Sequence, residues 1–184
     1  MTRTWADPMT RLFIACDLPK EIEEAVVAWQ IEAFAGRPEL RRTLSLHVTL
    51  CFLGKVARAY VPAISEALAA LDIAPLPVNV TGAVFLPESG RKRVVALRLE
   101  DPSEALVRLQ AEVSETLSAM HIYKPEKRPY LPHLTVARFR RPGEVFPLQN
   151  VNVPSFGLPS VVLYTSVLEK GGAVHTPLAT FPTS

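Results

Sequence analysis

Between Leu44 and Leu53 the chain alternates without a break: Leu44, Leu46, Val48, Leu50 and Phe52 are apolar, while Ser45, His47, Thr49 and Cys51 stand between them. A period of two marks a β-strand with one buried face, so the first set is expected in a core and the second on the opposite surface, with Gly54 as the stop. A second strand is expected from His133 to Phe139, where His133 and Thr135 again share a face. Each strand thus presents a His-x-Thr motif, His47-Val48-Thr49 and His133-Leu134-Thr135, 86 positions apart.

One such tripeptide carries little information. With 4 histidines and 12 threonines in 184 residues, chance supplies about 0.26 of them. A lone strand histidine is ordinarily a satisfied, half-buried residue. Two matched copies on faces outside the core argue for a shared site. His121 and His175 lack such a context and are read as surface or loop residues.

The rest of the chain places these strands among helices. Residues 11–18 read as a buried strand closed by Pro19, followed by an amphipathic helix through Ile22, Ala25, Val26, Trp29 and Ala33 that stops at Gly36 and Pro38. A second helix is expected over about Val61 to Leu71, with a join between halves at Pro75 and Pro77. Strands near Val78–Leu86 and Arg93–Glu100 flank a Pro-Glu-Ser-Gly turn. A long helix starting near Pro102 or Ser103 turns Leu106, Val113, Leu117 and Met120 inward, and Ser160–Glu169 reads as a last strand. Element order and the 86-residue offset suggest an internal duplication, and hairpin-like strands mixed with helices argue an α+β fold.

The length suits a single domain, 1–184, made of two similar lobes, and 48% apolar with 21% charged residues is ordinary for a folded globular chain. A net charge of +2 permits an anionic partner without demanding one. Basic residues cluster at Arg91-Lys92-Arg93 and around the second motif, at Lys124, Lys127, Arg128, Arg138, Arg140 and Arg141 against Glu126 alone. These are candidates for phosphate contact. Cys16 and Cys51 lie in apolar runs without zinc-like spacing and are expected as buried thiols. No secretory h-region and no run of 18 apolar residues occurs, which predicts a cytoplasmic protein with no membrane contact.

Two imidazoles and two hydroxyls suit a phosphodiester. One neutral histidine can take a proton from the nucleophile, the other as imidazolium can protonate the leaving oxygen, and the threonine hydroxyls can donate to non-bridging oxygens. Such a scheme needs no metal or cofactor, and neither motif carries an adjacent ligand set apart from Cys51. A bell-shaped pH profile is expected, with apparent pKa values near that of free imidazole, about 6.5.

The residues resemble the bacterial and archaeal RNA 2′,3′-cyclic phosphodiesterases, also called 2′-5′ RNA ligases, within the two-histidine phosphoesterases. The blocks that carry the likeness are Arg11-Leu-Phe-Ile-Ala-Cys-Asp-Leu-Pro, Leu46-His-Val-Thr-Leu-Cys-Phe-Leu-Gly, Gly82-Ala-Val-Phe-Leu-Pro, Pro132-His-Leu-Thr-Val-Ala-Arg and the Leu163-Tyr-Thr-Ser run. The likeness starts at Met9 and leaves residues 1–8 as an N-terminal extension. It implies a bilobal fold with two antiparallel sheets flanking a central cleft, helices on the outer faces and one motif on each lobe. It also implies hydrolysis of an RNA 2′,3′-cyclic phosphate to a 2′-phosphate, with 2′-5′ ligation of the cyclic phosphate to a 5′-hydroxyl as a close variant on the same residues. By position, His47 is expected as the base that activates water, His133 as the acid, and Thr49 and Thr135 as phosphate-binding hydroxyls.

Arg138, three residues after Thr135, would also bind substrate, although strict alternation turns it to the opposite face unless the strand twists, bulges or ends there. Near the C-terminus the family pattern leads one to expect an aromatic after the glycines, where this chain has Ala173-Val174-His175. The implied partner is RNA with a cyclic-phosphate end, tRNA fragments among the candidates, acted on by a monomer. The alternatives are a non-catalytic RNA-binding module, against which the two intact histidines argue, and a phosphodiesterase for another cyclic nucleotide or a 2′-5′ oligonucleotide.

Overall fold

A computed structural model describes residues 8–169 and 172–183, so all but the last residue of the expected N-terminal extension lies outside the described residues. Strand β1 (Met9–Cys16) leads into α1 (Lys20–Ala33), then β2 (Leu40–Arg42), β3 (Val48–Ala57), α2 (Val61–Ala69), β4 (Leu76–Leu86), β5 (Lys92–Glu100), α3 (Ala105–Ala119), β6 (His133–Gly143), β7 (Phe156–Leu158), β8 (Ser160–Glu169) and β9 (Gly172–Pro182). Helix α1 begins where Pro19 offers its carbonyl to the amides of Ile22 and Glu23, both at 3.0 Å. Glu21 and Glu23 in its first turn oppose the positive end of the helix dipole.

The architecture is α+β: among the described residues, three α-helices and one large sheet whose strand pairs are all antiparallel, in the order β7-β4-β5-β6-β3-β1-β8-β9, with β2 also on β6. The path is continuous rather than divided into two separate sheets, yet β3 and β6 share one pair only, Val48 with Leu134. Beyond that rung β3 leaves β6, and β2 takes up the vacated edge, pairing Leu40, Arg41 and Arg42 with Phe139, Arg138 and Ala137.

This exchange explains where the expected strand over Leu44–Leu53 fails. Residues 43–47 carry the chain from β2 to β3, so they belong to no ladder, and Leu44 is 79% exposed. His47 sits one residue before β3, and His133 is the first residue of β6. At the other end, β3 runs on through Gly54 to Ala57. Gly54 adopts φ +71° at a bulge where Leu53 is the extra residue between the pairs Leu12–Gly54 and Phe13–Phe52.

Val48, Leu50, Leu134 and Val136 are buried in one apolar cluster with Ile22 and Val26 of α1, Ile64 and Leu68 of α2, and Leu106, Val113 and Leu117 of α3. Cys16 and Cys51 are free and buried, as expected, and burial pushes the Cys51 thiol up to about 11, leaving it inert at neutral pH. Among the described residues no helix is long and apolar enough to cross a membrane.

Candidate active site

Both His-x-Thr strands contain a bulge immediately after the threonine. On β3, Ala15 of β1 faces Thr49 and Ile14 faces Cys51, which makes Leu50 the extra residue. On β6, Ala96 of β5 faces Thr135 and Val95 faces Ala137, which makes Val136 the extra residue. Leu50 and Val136 are related by the same 86-residue offset as the histidines.

A bulge of one residue reverses the phase of a strand, so residues beyond the bulge change face. Cys51, expected beside His47 and Thr49, therefore turns into the core, whereas Phe52, expected in the core, is 52% exposed. On β6 the same reversal buries Ala137 and returns Arg138 to the side of Thr135. Strict alternation turns Arg138 away, and the bulge is what brings it back.

The result is an open cavity of about 1120 Å³ whose walls include His47, Thr49, Phe52, Thr135 and Arg138. His133 is half-buried and borders this group without lining the cavity; its charge lies within reach of His47. Antiparallel pairing at Val48 and Leu134 directs His47 toward Thr135 and Thr49 toward His133.

Among the described residues the cavity wall holds six arginines, Arg11, Arg37, Arg41, Arg42, Arg138 and Arg140, and no aspartate or glutamate. Only two of these, Arg138 and Arg140, belong to the basic stretch that surrounds the second motif. Lys124, Lys127 and Arg128 stand on an exposed loop, and Arg91 donates to the Pro142 carbonyl at 2.9 Å. The arginines of β1, of the loop after α1 and of β2 were not expected, because their convergence depends on strand pairing across long separations. Arg138 is open to the cavity, yet the walls exclude enough water, with Arg41 adding like charge, to lower its pKa.

His133 is oriented by a hydrogen bond of 2.7 Å between its Nδ1 and the carbonyl of Leu131. A carbonyl only accepts, so Nδ1 carries hydrogen and Nε2 is left for proton exchange. The corresponding contact of His47 with Ser45 is looser. It raises proton affinity, and His47 Nδ1 is buried with no hydrogen-bond partner among the described residues. Phe13 lies beneath His47, with ring centroids 5.0 Å apart, and also stacks on Tyr164 at 5.0 Å.

His175, expected on the surface, instead stands on β9 within the cavity wall, 5.4 Å from the His47 ring and 4.8 Å from Phe13. It occupies the region where the family pattern led to an aromatic. No signal in the sequence places it there, since β9 is defined by its pairing with β8.

Burial, with the positive fields of His175, Arg138 and His133, lowers the His47 pKa from its ordinary value to about 4. His47 is therefore neutral and able to accept a proton throughout the physiological range. A catalytic base in this environment gives a pH–rate profile whose acid limb falls near pH 4 rather than near 6.5. A pH–rate profile whose acid limb stays at the free-imidazole value would contradict this environment for His47. Among the described residues no group of three or more His, Cys, Asp or Glu side chains is placed to hold a metal ion.

The family model of the 2′-5′ RNA ligase superfamily matches residues 18–151. The chain belongs to the 2′-5′ RNA ligase superfamily. Within this superfamily it is 33% identical over 175 residues to the RNA 2′,3′-cyclic phosphodiesterase of Escherichia coli K12, covering 91% of this chain and 93% of the relative. The crystal structure of E. coli LigT in apo form superimposes with a TM-score of 0.82 at 26% identity, covering 96% of this chain and 98% of that one. LigT complexed with 3′-AMP gives a TM-score of 0.81 at 25% identity, over 96% and 99% of the two chains.

Proposed function

We propose that this superfamily member hydrolyses the 2′,3′-cyclic phosphate at RNA ends to a 2′-phosphate, by metal-independent acid/base catalysis between His47 and His133. The observation that carries the reading is the meeting of two His-x-Thr segments at one rung, beside a cavity whose described lining is rich in arginine and includes no carboxylate. Relatives named RNA 2′,3′-cyclic phosphodiesterase supply the substrate class.

The cyclic phosphate sits between the two motifs. Neutral His47 takes a proton from water as its oxygen bonds to phosphorus, and the P–O3′ bond breaks while His133 gives a proton to O3′. Thr49 and Thr135 donate to the non-bridging oxygens, and Arg138 neutralises their charge. In the same direction, with a 5′-hydroxyl in place of water, His47 takes the proton of the 5′-hydroxyl as its oxygen bonds to phosphorus, the P–O3′ bond breaks with His133 protonating O3′, and a 2′-5′ linkage forms. The two motifs with their matched bulges belong to pseudo-repeated lobes of one domain that acts as a monomer, with RNA fragments, including those of tRNA, as substrates.

The test is end-group analysis of a short RNA bearing a 2′,3′-cyclic phosphate, in excess EDTA. Turnover to a 2′-phosphate is expected. A 3′-phosphate product would reverse the leaving-group assignment, and activity lost to the chelator would sink the metal-free scheme. RNA bound but never hydrolysed would favour the non-catalytic module.

A further inference from the structure

Gln30 of α1 is a polar side chain buried to 1% exposure, in a helix whose other buried residues, Ile22, Val26 and Trp29, are apolar. Its amide nitrogen donates to the carbonyl of Val136 at 2.7 Å and to the carbonyl of Thr43 at 3.1 Å. Both acceptors lie at irregular points of the backbone. Val136 is the extra residue of the β6 bulge, and Thr43 is where the chain leaves β2 for β3. The Val136 carbonyl also accepts from the Thr43 amide at 2.9 Å.

A bulge takes a residue out of register and leaves its polar groups without their ladder partners, so it persists only where something else satisfies them. Here the Thr43 amide is one partner of the Val136 carbonyl, and the second is a glutamine 106 residues away in sequence, which also holds the Thr43 carbonyl and so ties bulge and β2 end to α1. The other motif has a weaker analogue: Gln110 of α3 reaches the carbonyl of Leu50, the extra residue of β3, at 3.5 Å.

We infer that Gln30 is a positioning residue for substrate binding: by clamping the Val136 bulge to the end of β2, it holds β6 in the phase that turns Arg138 into the cavity. Without the clamp, the regular strand is the competing state, and in it Arg138 faces away from Thr135. The inference rests on the substrate-binding role proposed for Arg138. It predicts that loss of Gln30 imitates loss of Arg138 and adds nothing to it.

The experiment is a double-mutant cycle on hydrolysis of the cyclic-phosphate RNA. Gln30→Met keeps the length of the side chain and removes its donors, and is expected to raise KM about tenfold with kcat within about twofold of wild type. Arg138→Ala is expected to raise KM by a similar or larger factor, and the double variant should match Arg138→Ala alone. Multiplying effects, an unchanged KM in Gln30→Met, or a loss confined to kcat would overturn the positioning assignment. A wild-type KM in Arg138→Ala would instead overturn the reading of Arg138 itself.

If Gln30→Met fails to fold, Gln30→Glu carries the test. Its carboxylate repels both carbonyls when ionised and can donate to one when protonated, so its KM relative to wild type should fall as pH is lowered from about 8 to about 5.5. A ratio that does not move with pH would overturn the clamp.

Discussion

Alanine at His47 or at His133 is expected to lower kcat for cyclic-phosphate hydrolysis by about 10²–10⁴, the usual worth of one positioned proton-transfer group. Both side chains are half-buried at the edge of the cavity and lie outside the apolar cluster, so truncation should leave the fold intact. The two effects should also fail to multiply. Once the base is gone, an acid poised for the same transition state has less to protonate, so the double variant should be little slower than the worse single one. Steady-state kinetics on purified variants, with circular dichroism as the fold check, decides the matter. Wild-type turnover in either single variant would remove that histidine from the chemistry.

The second large effect concerns stability. Leu134 is fully buried, pairs with Val48 at the only rung between β3 and β6, and faces Leu97 on its other side. Leu134→Ala is expected to cost about 2–5 kcal/mol, the lost transfer energy plus the cavity left in a core that cannot collapse around it. Leu44→Ala is the contrast: alternation puts Leu44 in the same core, but it is 79% exposed and should change stability by less than about 0.5 kcal/mol. Urea unfolding of the two variants measures both. Similar losses would mean that the chain between β2 and β3 packs more tightly than its exposure indicates.

That contrast shows how legible the chain was. Long elements with steady periodicity were: α1, α2 and α3, and the strands β1, β4, β5, β6 and β8 all fall close to their sequence-based expectations. The three-residue strands β2 and β7 offer too little pattern to read. Edge strand β9 contains Pro177 and Pro182, which argue against a strand until β8 is there to pair with it.

The pairing of His-x-Thr motifs was visible because His to Thr spans two residues, too short for the phase to slip. Beyond the threonine the phase is fixed by bulges at Leu50 and Val136, which depend on the partner strand and leave no mark on composition. Phe52, Cys51 and Arg138 were therefore uncertain or misplaced by period alone. His175, Arg41 and Arg42 were out of reach for a related reason: each enters the site through a strand pairing that sequence spacing does not encode.

The rung between Val48 and Leu134 has a mechanical meaning as well. Strand β6 is fastened a second time, by β2 through Leu40, Arg41 and Arg42, so residues 43–47 bridge two fixed points along one strand. His47 ends that bridge and His133 stands one residue from the rung. A change in the cavity wall at Arg37 therefore reaches the gap between the two imidazoles only through backbone that is held on either side.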